Sequence, residues 1–196
     1  MTDIPRLLGI ISGVFLIAGY VPYIFEVVKK NTVPNRASWF IWSLSTAIIL
    51  FGVKETGTHE AIWVPIADAV GCFVIFIMSI RLGVGGWSKT DKISLIISAL
   101  SLVILFITKN AFSALIMNLL IYVSGYIPTI KKVLHDPKSE SRFAWTLFFI
   151  GVVLNFVTVI VGSDTGLVVW LYPTVLISTV GTLFFFLVRP INRVIK

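Results

Sequence analysis

The chain has 196 residues, within the size of one domain. It is 57% hydrophobic and 13% charged, with a mean hydropathy of +0.99; soluble domains are about 45–50% apolar and about 25% charged. That composition argues against a water-soluble fold and for an integral membrane protein with no soluble domain attached. One cysteine, Cys72, precludes an intramolecular disulfide, and His59 and His135 stand apart in polar segments, so neither a metal site nor a cofactor is expected. The net charge of +7 would suit nucleic acid, but its placement along the chain points elsewhere.

A bilayer core of about 30 Å needs roughly 20 apolar residues in helix. Uncharged stretches supply this at 7–25, 37–53, 61–80 (interrupted only by Asp68), 93–108, 111–130, 143–163 and 165–188. Seven transmembrane helices are therefore expected. The second and fourth are short, and Lys54 and Lys109 extend them by snorkelling. Connections such as Lys54–Glu60, Gly83–Lys92 and His135–Ser141 are brief and polar.

Lys and Arg placement sets the orientation. With the N-terminus outside, the inner side holds Lys29, Lys30, Arg36, Arg81, Lys89, Lys92, Lys131, Lys132, Lys138, Arg142, Arg189, Arg193 and Lys196, against Arg6, Lys54 and Lys109 outside. Thirteen against three predicts N-out and C-in. The charge is thus a topogenic signal, and no nucleic-acid partner is expected. Helix one is not read as a signal peptide, because it lacks a small-x-small cleavage site and because it recurs later in the chain.

Gly19-Tyr-Val-Pro22-Tyr-Ile24 is matched by Gly125-Tyr-Ile-Pro128-Thr-Ile130, an offset of 106 residues. The same offset pairs Arg36 with Arg142 and Trp39 with Trp145. Across 19–45 and 125–151, seven of 27 positions are identical, where chance gives about two. Trp63-Val-Pro65 echoes Trp170-Leu-Tyr-Pro173 after a small insertion. Helices 1–3 and 5–7 are therefore read as homologous triplets, with residues 1–82 and 111–196 as the repeats and 91–108 as the linker helix. Three helices plus one linker make both triplets enter the membrane in the same direction, an arrangement suited to transport.

These residues resemble the SWEET and PQ-loop transporter superfamily. The likeness rests on the 3+1+3 plan, the Gly-Tyr-hydrophobic-Pro motif ending helices 1 and 5, the basic loop after it, and the aromatic string Ser38–Trp42 opening helix 2. It is closest to bacterial inner-membrane members. The sequence departs from the family in having Tyr23 and Thr129 where a Gln follows the motif proline, and in lacking prolines in helices 2 and 6. The resemblance implies an all-α fold of two parallel three-helix bundles joined by a linker helix. It also implies alternating access without ATP for a small polar solute, sugar or vitamin-like. A Pnu-type vitamin carrier and a KDEL-receptor-like ligand receptor are the alternatives, and a homo-oligomer is compatible with the plan.

Asp68 is the only ionisable residue inside a span. A mid-membrane carboxylate costs about 2.5–3.5 kcal/mol on insertion scales, so it must face the bundle interior or water. It is read as a ligand for a solute hydroxyl or cation, as a proton site, or as a structural tie from helix 3. By resemblance it lies at the depth of a substrate-binding Asn of the family, and Ser178 is its nearest polar analogue in helix 7. Asn118 and Tyr122 share a polar stripe with Gly125 on helix 5, and Asn155 lies on one in helix 6; interhelical packing explains such stripes equally well. Trp42 is a candidate to stack on a ligand ring, while Trp39 and Trp145 fit an interfacial belt. Pro22 and Pro128, each preceded by a glycine three residues earlier (Gly19, Gly125), are candidate gating hinges. Glu26 and Arg36 are candidates to pair across the inner mouth. No nucleophile elbow, His-Glu-x-x-His or Walker loop occurs, so no enzyme activity is expected.

Overall fold

Each helix takes its start from the residue ahead of its apolar run. Asn35 caps the helix beginning at Arg36, its Oδ1 accepting the Ser38 N–H at 3.0 Å. At the equivalent place in the second repeat Ser141 caps Arg142–Val161, its Oγ accepting from the Ala144 N–H at 3.3 Å. Ser88 and Asp91 form a reciprocal capping box, Asp91 N–H to Ser88 Oγ at 3.2 Å and Ser88 N–H to Asp91 Oδ2 at 3.0 Å. Lys30, at φ 60°, closes the first helix in the left-handed conformation.

The computed structural model describes residues 4–55, 63–108, 111–162 and 167–189. Among these are seven α-helices: α1 Ile4–Val28, α2 Arg36–Glu55, α3 Trp63–Leu82, α4 Lys89–Thr108, α5 Ala111–His135, α6 Arg142–Val161 and α7 Leu167–Val188. One 3-10 turn, Pro137–Ser139, precedes α6. The expected connection at 56–60 with His59, together with Lys109, Arg193 and Lys196, lies outside the described residues. The helices match the expected apolar stretches and run past several of them by a polar turn.

Burial is inverted relative to a water-soluble protein. Along α1, Leu7, Ile10, Val14, Ile17, Val21, Phe25 and Val28 form one exposed apolar stripe, while Ser12, Gly19, Tyr20 and Tyr23 are buried. On α4 the described buried positions are Asp91, Ser94, Ser98 and Ser101, and Ile93, Ile96, Leu100, Val103 and Ile107 face outward. Such faces are stable only in an apolar solvent. Ile4–Val28, Arg142–Val161 and Trp170–Val188 are long and apolar enough to cross a membrane. The chain is a helical membrane protein.

α1 packs on α3 and α6; α5 packs on α7 and α2; α2 packs on α3 as α6 does on α7. Exchanging α1, α2, α3 for α5, α6, α7 leaves this pattern unchanged. Only α4, which lies on α5 and touches α2, has no counterpart. The two seams between repeats are also equivalent in detail. Ser12 Oγ donates to the Gly151 carbonyl at 2.8 Å on the α1–α6 seam, and Ser45 Oγ to Asn118 Oδ1 at 3.1 Å on the α2–α5 seam. Gly19 and Gly125 mark the closest approaches. A Cβ on Gly19 would lie 2.6 Å from the Phe148 ring, and one on Gly125 2.6 Å from Trp42 Nε1.

The connections after α1, α3 and α5 meet at one end of the molecule, here the basic end. Val33 N–H donates to the Ser139 carbonyl at 3.1 Å and Arg36 N–H to the Val84 carbonyl at 2.9 Å. The Arg36 side chain reaches the Ser79 and Gly85 carbonyls at 2.9 and 3.1 Å, so the expected pairing with Glu26 gives way to carbonyl bonds that fasten α2 to the end of α3. Lys132 forms a buried ion pair with Glu140 Oε1 at 2.5 Å and also donates to the Val33 carbonyl.

Candidate functional site

Between the two repeats lies a cavity of about 40 Å³. Its wall is assembled in pairs. At the repeat offset of 106, Leu16 and its counterpart Tyr122 both line the cavity, as do Tyr20 and Tyr126, Trp39 and Trp145, and Trp42 and Phe148. For α3 and α7 the offset is 108, as it is for Pro65 and Pro173, and it pairs Asp68 with Leu176 and Cys72 with Val180. Val152 completes the lining. The cavity therefore sits where the repeats are related to one another, and each contributes equivalent positions.

Chemistry breaks that equivalence most sharply at one pair, beyond the milder differences of Leu16 with Tyr122 and Cys72 with Val180. Asp68 carries a carboxylate where its counterpart is Leu176. Tyr20 Oη donates to Asp68 Oδ1 at 2.7 Å and lies 3.3 Å from Cys72 Sγ. Among the described residues, no lysine, arginine or histidine lines the cavity. Tyr122 and Tyr126 bond to each other through their hydroxyls at 2.9 Å.

The rings stand steeply against one another: Trp39 to Trp42 at 5.0 Å and 88°, Trp42 to Tyr126 at 4.7 Å and 59°, Trp145 to Phe148 at 5.4 Å and 76°. The first and third are edge-to-face and the second is tilted, geometries that leave walls rather than a stack. All three indole N–H groups are committed elsewhere. Trp39 donates to Tyr23 Oη at 3.2 Å, Trp42 to the Tyr122 carbonyl at 3.1 Å, and Trp145 to Glu140 Oε2 at 2.9 Å.

Of the residues singled out from sequence, Asp68, Trp42 and Tyr122 line the cavity. Asn118 is buried but serves the α2–α5 seam through Ser45, the role Ser12 plays on the other seam. Asn155 is half-buried and lies outside the lining. Ser178 is exposed on α7 and its hydroxyl bonds back to the Thr174 carbonyl at 2.7 Å, so it does not mirror Asp68. Trp39 and Trp145 are 2% and 3% exposed, which corrects their reading as an interfacial belt. Pro22 and Pro128 lie within unbroken helices, and Gly19 and Gly125 act as packing seats for Phe148 and Trp42. Tyr20, Tyr126, Cys72 and Phe148 were not singled out, although the repeated Gly-Tyr pair already contained the two tyrosines.

A larger cleft of about 470 Å³ opens at the basic end, between the end of α1 and the start of α6, with Glu26, Lys138, Glu140 and Arg142 on its wall. Glu140 belongs to this cleft and also holds the Trp145 indole, whose ring lines the central cavity. Beside it, Asp91 ties α4 to α2: Oδ1 accepts from Asn35 Nδ2 at 3.2 Å and Oδ2 from the Gly86 N–H at 2.7 Å. Burial pushes the Asp91 carboxyl upward, but hydrogen bonds from Ser88, Asn35 and Gly86 outweigh it and hold the group below the ordinary carboxylate range.

Comparison with protein-family models, with curated proteins and with solved structures finds no match to this chain.

Proposed function

We propose that the chain is a SWEET-like membrane transporter that moves a small polar solute by alternating access without ATP. In this reading seven transmembrane helices form two parallel three-helix bundles joined by α4, in the 3+1+3 plan. The observation that carries it is the paired wall of the central cavity, since a site made equally by two like bundles opens to one side or the other as they rock. The equivalence of the helix contacts in the two repeats supports the same plan. So do the lengths of α2, α3, α4 and α5, 20, 20, 20 and 25 residues, enough for about 30 Å at 1.5 Å per residue.

The cavity volume bears on mechanism. About 40 Å³ holds a few waters at most, whereas ligand sites span roughly 300–1,000 Å³. A solute thus enters only when the seams part. The hydrogen bonds among the three basic connections close one end, which the positive-inside bias assigns to the cytoplasm of a bacterial inner membrane, with the N-terminus outside. Trp145 and Glu140 stand between the central cavity and the cleft at that end.

Proteoliposomes offered a panel of labelled metabolites test the reading. Saturable uptake that persists without ATP and shows counterflow is the expected result, and absence of uptake across the panel would overturn it. Specific binding without uptake would favour a receptor of the KDEL-receptor type. For topology, Gly57→Cys should be labelled from outside and Lys138→Cys only from inside.

A further inference from the structure

We infer that the solute recognised by this cavity is a small organic cation, with Asp68 as its counter-ion and the aromatic walls as its cage. The inference rests on the carrier reading for the solute's passage, but the binding chemistry stands on the cavity itself. Asp68 is buried at 9% exposure and its one hydrogen bond is from a neutral phenol, Tyr20 Oη at 2.7 Å. An ionised carboxylate accepts up to about four hydrogen bonds, and in a low-dielectric site it calls for an opposite charge. The lining supplies none, so the charge comes with the ligand.

The walls fit the same ligand. Tryptophan, tyrosine and phenylalanine faces attract a cation within about 6 Å of the ring centroid, tryptophan best. Rings set at 59–88° to one another form several walls of a box. A sugar would instead need directed donors and acceptors. The three indole N–H groups are already bound to Tyr23, Tyr122 and Glu140, and the Tyr122 and Tyr126 hydroxyls are bound to each other. What is left to a ligand is π-surface, one carboxylate and the single O–H of the tyrosine pair that does not donate within it.

Equilibrium dialysis of the purified full chain with labelled choline provides the test, with tetramethylammonium, glucose and the uncharged isostere 3,3-dimethyl-1-butanol as competitors. Saturable choline binding, displaced by tetramethylammonium but not by the isostere or glucose, is expected. Asp68→Asn keeps the size and the hydrogen bond and should weaken choline at least tenfold. Trp42→Phe replaces the best cation–π face with a weaker one and should weaken choline a few-fold, while Ser178→Ala, on the exposed face of α7 outside the lining, should leave it unchanged. No choline binding, equal displacement by the isostere, or an unchanged Asp68→Asn affinity would overturn the inference. Should the variant not fold, the comparison of choline with its isostere on the unmodified chain decides alone. Choline that binds but is not taken up by proteoliposomes defeats the carrier and leaves the cation site standing; uptake of a neutral panel member without choline binding does the reverse.

Discussion

The two repeats share their helix contacts, their caps and the positions that wall the cavity, yet they differ in what they do with charge. The first repeat places a carboxylate, Asp68, in the cavity; the second has Leu176 there. At the basic end the difference reverses. The second repeat builds a buried ion pair from Lys132 and Glu140, whose counterparts at the 106-residue offset are Glu26 and Pro34. The lesson is a division of labour over one scaffold: apolar and aromatic positions keep the frame symmetric, and single charged substitutions give each half its own task.

The largest effect should come from breaking the ion pair. Glu140 is fully buried in its pair and holds both Lys132 and the Trp145 indole. Glu140→Ala should cost about 3 kcal/mol, because it leaves a part-buried ammonium with carbonyl partners only and frees the Trp145 indole. The double variant Lys132→Met, Glu140→Leu should recover most of that loss. By contrast Glu26→Gln, at the counterpart of Lys132, should change stability by less than about 1 kcal/mol. Thermal or denaturant unfolding in detergent measures all three, and equal losses in the two repeats would refute the division.

The seams test the symmetric part. Gly19→Ala and Gly125→Ala each force a Cβ to 2.6 Å from a ring of the other repeat, and overpacking of this kind costs about 1–3 kcal/mol. The two losses should be similar, with Gly125→Ala the greater because it also pushes Trp42 off the Tyr122 carbonyl. A hinge role for either glycine would instead alter uptake with little change in stability.

The smallest effect concerns Asp91. Its folded pKa is depressed, so its contribution is complete above the unfolded value of about 3.9 and disappears as pH falls through the lower folded value. Asp91→Asn should therefore lose about 1–2 kcal/mol at pH 7, with the gap to the parent unchanged between about pH 5 and 8 and closing only below about pH 4. A gap that varies through neutrality would show that Asp91 is not held by these bonds. Nothing at the equivalent place in the second repeat should respond this way, since Ser141 caps α6 without a carboxylate partner.

The helices were legible because hydropathy over 20 residues overrides local preference, and the repeat because its glycine, proline, arginine and tryptophan positions are fixed by packing. The cavity was legible only in part. Choosing polar side chains found Asp68 but also Asn118 and Ser178, because a hydroxyl or amide satisfied against a helix carbonyl or across a seam reads the same in sequence as one aimed at a ligand. Ser178 illustrates the geometry. It stands two positions beyond Leu176, and at about 100° per residue that turns it roughly 200° away from the cavity. The offset of 108 between Pro65 and Pro173 puts Leu176, not Ser178, opposite Asp68, and similar depth in the helix does not distinguish the two. The tyrosines of the repeated motif carry no signal of their own, because a Gly-Tyr-x-Pro string reads equally as a kink.

If the repeats rock as proposed, the close packing at Gly19 fixes where α1 bears on the other repeat. From Gly19 to the end of α1 at Val28 is a lever of about 13 Å, so a tilt of about 10° about that seat carries the far end by about 2 Å. The bond from Val33, in the connection that follows α1, to Ser139 is 3.1 Å long, and hydrogen bonds fail beyond about 3.5 Å. On the proposed transport reading, one small tilt of α1 therefore exceeds the reach of that clasp, while the Asn35–Asp91 bond between α2 and α4 is untouched by it.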